Sequence, residues 1–237
     1  MGRGPAAVVA VVAAVVSSAA QARAEVRCPA PAGTFAGVAA IDGRERLRWI
    51  ADHLDHEAHR GRVWAYSWGI GIGAAGVGSL VPVPFVAAGD RVDWYTSAAT
   101  AAVGVLPFVI SPLKVTRDAP RLRADIDAAA PLSDDLRVCA LLADAERKLT
   151  DDAGDERWQQ GWWIHAGNLA FNTGVLLFLG LGYHHWTSGL VNGLSGAAVG
   201  ETIILTQPTR AIDDVDAYRR GDLAAPRTVS WRYHLNF

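Results

Sequence analysis

The sequence predicts an all-α membrane protein, with four transmembrane helices arranged as two repeated helical hairpins. An amphipathic helix precedes each hairpin, and a short β-like tail ends the chain. Three observations predict this. Beyond a short apolar leader, four stretches carry almost no charge, at about 63–89, 94–113, 162–183 and 186–207. Each is long enough to cross a hydrocarbon layer about 30 Å thick, which takes about 20 residues as a helix. Trp64, Trp68, Trp94, Trp158, Trp162, Trp163 and Trp186 cluster at the starts of these stretches, and indole rings prefer the bilayer interface. The stretches also pair through short turns, and the two pairs share local sequence.

Composition agrees with a mixed protein. Of 237 residues, 51% are hydrophobic and 19% charged, which suits membrane segments joined by water-exposed stretches. A net charge of −2 leaves no excess of base for nucleic acid.

At the N-terminus, Arg3 precedes an apolar run over 5–16, and Ala22-Arg23-Ala24 stands before Glu25. That is the pattern of a secretory signal peptide over 1–24. A first repeat then occupies 25–128, a second 129–222, and a tail 223–237.

Each repeat opens with an amphipathic stretch. Leu47, Ile50 and Leu54 form one stripe, and Val138, Leu142, Ala145 and Leu149 form the other. Such helices lie on the membrane surface or on each other. Ile50-Ala51-Asp52 matches Leu142-Ala143-Asp144, and Trp94-Tyr95-Thr96-Ser97 matches Trp186-Thr187-Ser188. Val103-Gly104 before Ser111-Pro112 matches Val199-Gly200 before Gln207-Pro208. With two spans per unit, the duplication is parallel, and both units enter from the same side. The stretch 118–135, rich in Ala, Pro and Asp, reads as coil between the halves.

Small residues line the spans. Gly189, Gly193, Gly196 and Gly200 make one stripe, and Gly69, Gly73 and Gly76 begin another. Absent side chains let helix backbones approach closely in lipid, so these positions predict packing faces.

One polar cluster stands out. His165, Asn168 and Asn172 share a face of the third span, while Glu201 and Gln207 lie near the end of the antiparallel fourth. A membrane carboxylate costs about 2.5–3.5 kcal/mol on insertion scales, so it normally faces a partner or a wet cavity. One reading is a proton, ion or solute site, and the other is a hydrogen-bonded lock on the hairpin's register. The first hairpin has Val105 where Glu201 would align, so no symmetric transport site forms. His53, His56 and His59 repeat at a spacing that can share a metal, but in this charged setting they read as a solvated helix face. No nucleophile elbow or phosphate loop is present, and nothing calls for a cofactor.

Cys28 and Cys139 lie outside the apolar stretches and could pair as a structural disulfide in an oxidising compartment. Orientation rules conflict. A cleaved signal places the water-exposed helices in the periplasm. Yet every Lys and Arg beyond residue 24 except Arg91 lies on that same side, which the positive-inside bias assigns to the cytoplasm. The signal is given precedence, because long segments translocate despite charge.

The last nine residues, VSWRYHLNF, alternate strictly and end in Phe237. They resemble the C-terminal strand signal of bacterial outer-membrane β-barrels. A whole-chain barrel is disfavoured, since 134–158 reads as a charged helix and VGVLPFVI is continuously apolar. The expected protein is thus an envelope membrane protein with a non-enzymatic structural or interaction role. Its partners would be the lipid bilayer and either its own copies or other envelope proteins. A small transporter or proton-linked protein using the Glu201 cluster is the alternative.

Overall fold

The computed structural model describes residues 25–223. The expected signal peptide over 1–24 and the tail, including all of its alternating stretch but not Leu223, fall outside the described residues. Among those described, the chain is all-helical, with no strand. A 3-10 turn (Ala36–Ala40) precedes seven α-helices: α1 (Gly43–Gly78), α2 (Arg91–Ile110), α3 (Val115–Ala128), α4 (Asp135–Gln159), α5 (Trp162–Tyr183), α6 (Trp186–Thr206) and α7 (Arg210–Arg220).

The helices sort into two regions. α3, α4, α7 and the first half of α1 enclose a conventional hydrophobic core. Leu47, Ile50, Leu54, Leu122, Val138, Leu142 and Leu149 are almost fully buried in it, joined by Val26, Val38 and Val215. Both sequence stripes point into this core, so the amphipathic helices pack on each other. The second half of α1, with α2, α5 and α6, shows the opposite pattern. α2 has no buried residue at all, and Tyr66, Ile70, Val77, Val109 and Ile110 are each at least two-thirds exposed. So much contiguous apolar surface is unusual against water and ordinary against lipid. Three helices, α2, α5 and α6, are long and apolar enough to cross a membrane.

Local chemistry explains the boundaries. Asp42 caps α1 by accepting from the Arg44 and Glu45 amides, the usual way to satisfy first-turn donors. Asp134 does the same for α4 through Leu136 N–H. His184 sits left-handed at φ 62° to close α5, and Gly221 ends α7 at φ 77°. Glycine tolerates that conformation because it has no Cβ.

Three sequence expectations change. The amphipathic helix and the stretch expected as the first span are one continuous helix, α1, of 36 residues, and it is not among the three helices apolar enough to cross, where four spans were expected. The span expected to run to 89 stops helically at Gly78; turns containing Pro82 and Pro84 follow, and proline cannot donate the next helical bond. In the second half the helix does break, at Gln160–Gly161 between α4 and α5. The stretch read as coil from 118 instead belongs largely to α3. Val115, Ala119 and Leu122 bury one face of α3, and that burial outweighs the helical bond Pro120 cannot donate.

Cys28 and Cys139 are joined by a disulfide across a sequence separation of 111. It ties the segment before α1 to α4. The same segment is held by Val26 N–H on the Asp42 carboxylate at 2.8 Å and by Gly43 N–H on Val26 O at 2.8 Å.

Candidate functional site: a polar cluster between two apolar helices

α5 and α6 run antiparallel through a tight turn and pack closely, which brings the predicted cluster together. His165 Nδ1 lies 2.5 Å from Glu201 Oε2. Asn168 Nδ2 donates to Glu201 Oε1 at 2.9 Å and to Ala197 O at 3.0 Å. Asn172 Nδ2 donates in turn to Asn168 Oδ1 and Asn168 O, both at 2.9 Å. Both carboxylate oxygens of Glu201 are therefore engaged. Gln207 takes no part: it caps the end of α6, is buried, and its Nε2 has no hydrogen bond.

The glycine stripe on α6 explains the fit. A Cβ at Gly189 would fall 2.7 Å from Leu176 O, and one at Gly193 would fall 2.9 Å from Asn172 O. At Gly196 and Gly200 it would collide with the Asn172 and Asn168 side-chain amides. The asparagines thus sit in the space the glycines leave, so packing and polar bonding form one device. The first stripe fares differently. A Cβ at Gly76 would meet Ala101 Cβ at 2.8 Å, and Gly69 has only ordinary contact with Phe108. Gly73 faces open space, so it is not a packing residue.

A second polar connection went unread in the sequence. At the far end of the bundle, Asp93 accepts from Ser188 Oγ at 2.6 Å and lies 2.7 Å from His185 Nδ1. Ser97 Oγ donates to Asn192 Oδ1 at 2.6 Å. Together they pin the start of α2 to the α5–α6 turn. At the near end, Trp64 and Trp68 both donate to Thr206 Oγ1, at 3.3 and 3.1 Å, tying α1 to α6. The signal was present: Asp93 opens α2 and His185 caps α6, each just after the short connection within its pair of helices. Between α2 and α5 an open groove of about 420 Å³ is lined by Tyr95, Val103, Phe171 and Phe178 among others. Its walls are almost wholly apolar, so it offers no chemistry to the polar cluster.

In the water-exposed domain, Arg46 is fully buried. It donates to Tyr218 Oη at 2.8 Å, Cys28 O at 3.0 Å and Pro29 O at 3.1 Å, and it pairs with Glu146. Tyr218 O–H also donates to Glu146. His53 is buried, stacked on Trp49 at 3.9 Å with Nδ1 on Trp49 O at 2.8 Å, whereas His56 and His59 are exposed. The three histidines therefore do not converge. No family model, curated protein or solved structure is matched by this chain.

Proposed function

We propose that this chain is an envelope membrane protein with a non-enzymatic, structural role. In this reading two helical hairpins, four spans in all, hold an oxidised helical domain at the membrane surface for contact with other envelope proteins or with a second copy. The observation that carries it is the closure of the Glu201 network. Every cluster member that bonds does so within the α5–α6 hairpin, as a lock does and an open binding site does not. Two further features support it: the hairpins are fastened to each other at both ends, and the water-exposed domain is crosslinked. The disulfide also supports an oxidising location for that domain, and hence the export signal over the charge distribution.

The duplication belongs to this reading in an adjusted register. The buried positions of α4 line up with those of α1 in sequence order when Leu142 is aligned with Leu47 and Leu149 with Leu54. That is about one helical turn from the register of the Ile50-Ala51-Asp52 match. The alternative, a proton-linked protein, rests on the His165–Glu201 pair, whose side chains are 27% and 29% exposed.

Reconstitution separates the two. With purified protein in vesicles, Glu201→Gln should lower the unfolding midpoint of the hairpin, while neither wild type nor variant moves protons across the vesicle wall. Proton flux in wild type that Glu201→Gln abolishes would overturn the structural reading.

A further inference from the structure

The water-exposed domain buries four carboxylates that none of the features above uses. Glu57 on α1, Asp152 and Glu156 on α4, and Asp214 on α7 are between 1% and 6% exposed. Neither oxygen of Asp152 has a hydrogen bond, and Glu57 is met only by the Arg210 backbone amide. Glu156 accepts only the Ile212 amide, at 3.2 Å. A buried ionised carboxylate without partners is among the costliest arrangements in a protein, so such a group ordinarily takes up a proton.

Their placement is patterned. In the register that aligns the buried positions of α4 with those of α1, Asp152 matches Glu57, and Asp214 of α7 matches Asp118 of α3 when Tyr218 is aligned with Leu122. The electrostatic pairs then run crosswise between halves. Glu57 acts on Asp214, and Asp118 acts on Asp152. Glu156 feels Glu57, Asp152 and Asp214 together, and stands where the first half has Gly61.

Cations stand close but do not neutralise the set. From α1, Arg60 lies 3.8 Å from Glu57, and from α7, Arg210 lies 3.6 Å from Asp214. Lys114, before α3, faces Asp152 but is 4.0 Å from Asp155. Asp118 on α3, Asp151 and Asp155 on α4, and Asp213 on α7 add further negative charge. Four buried acids therefore meet two close guanidiniums.

We propose that Glu57, Asp152, Glu156 and Asp214 form a proton-binding site at the junction of α1, α4 and α7, occupied near neutral pH and emptied on alkalinisation. The ligand is the proton itself, held as carboxylic acid. Burial is the first cause in every case. It pushes Asp152 up to about 8 and Asp214 to about 7, raises Glu57, and lifts Glu156 well above the carboxylate range. Groups whose folded affinity for protons exceeds their unfolded affinity stabilise the fold most at low pH. For Asp214 and Asp152 the contribution is full below about pH 4, the unfolded carboxylate value, and is lost progressively up to about pH 7 and about pH 8 respectively, with Glu57 and Glu156 acting in the same direction.

The test uses the full chain in detergent, with bound divalent metal measured on the purified protein. Wild type should lose roughly 5 °C or more of melting temperature between pH 6 and pH 9, more than a degree-scale surface effect. Glu57→Gln with Asp152→Asn should flatten that profile and melt higher than wild type at pH 9. Should the double variant fail to fold, infrared difference spectra of wild type decide the matter. A protonated-carboxyl band present at pH 6 and absent at pH 9 supports the site. A pH-independent melt without that band overturns it. So does a stoichiometric divalent metal whose chelation lowers the melting temperature, which would make the cluster a cation site.

Discussion

Glycine and arginine mark the two ways single residues hold this molecule together. On α6 the stripe is needed because α5 offers carbonyls and amides where side chains would go. Gly193→Ala should therefore cost about 1–3 kcal/mol, the usual range for forcing extra atoms into a filled interface. Gly73→Ala, which meets nothing within 4 Å, should be neutral or raise stability by up to about 1 kcal/mol, because alanine is the better helix former. Chemical unfolding in mixed micelles would compare them. Arg46→Leu should be far more damaging, at about 3–5 kcal/mol, because it leaves the Glu146 carboxylate buried without its cation. The α6 glycines and the His165–Asn168–Glu201 set were legible because spacing on an antiparallel hairpin is nearly a geometry, whereas the α1 stripe, with Gly73 in open space, was not. Arg46 was not. Nothing in RERLRW distinguishes a buried arginine from its exposed neighbour Arg48, since burial depends on Glu146 and Tyr218, both far along the chain.

At the scale of elements, the sequence located helices well and joints poorly. The apolar stripes of α1 and α4 came directly from periodicity, and both are buried as read. The α1 continuity did not, because HRGRVW contains one glycine and no proline, and a helix either continues or stops there on tertiary grounds. It continues because Leu113 and Thr116 fill the space beside Gly61, where a Cβ would fall 3.1 and 3.3 Å from them. α3 was missed for the converse reason, since Pro120 and a run of alanines look like a linker until α1 supplies a face to bury against. The link between hairpins gives a prediction of its own. Asp93→Ala removes the acceptor of both Ser188 and His185, and should cost about 1–3 kcal/mol while loosening α2 from the α5–α6 turn. Faster hydrogen exchange confined to α2 and that turn would be the signature; unchanged exchange there would deny the connection its role.

For the whole molecule, the disulfide couples folding to redox state. It closes a loop of 111 residues in sequence separation, and closing long loops restricts the unfolded chain most. Reduction, or Cys139→Ser, should lower stability by about 2–4 kcal/mol, read as a drop in melting temperature with and without reductant. An unchanged melt would mean that the Asp42 and Gly43 bonds alone hold the N-terminal segment. Membrane character and helicity could be read at this scale from composition and tryptophan placement. The division into a buried hydrophobic core and a bundle with an apolar surface could not, because α1 belongs to both.

That shared helix sets how the two regions move together. Its 36 residues make a rod of about 54 Å at 1.5 Å per residue, with no interior proline. Such a rod acts as a lever: a tilt or twist imposed on its first half is carried directly to its second half, beside α2. The other half has a joint at Gln160–Gly161, so α4 can turn while α5 stays put. Motion in the exposed domain would then shear the first hairpin past the second, loading the Trp64, Trp68 and Asp93 attachments at opposite ends of the bundle.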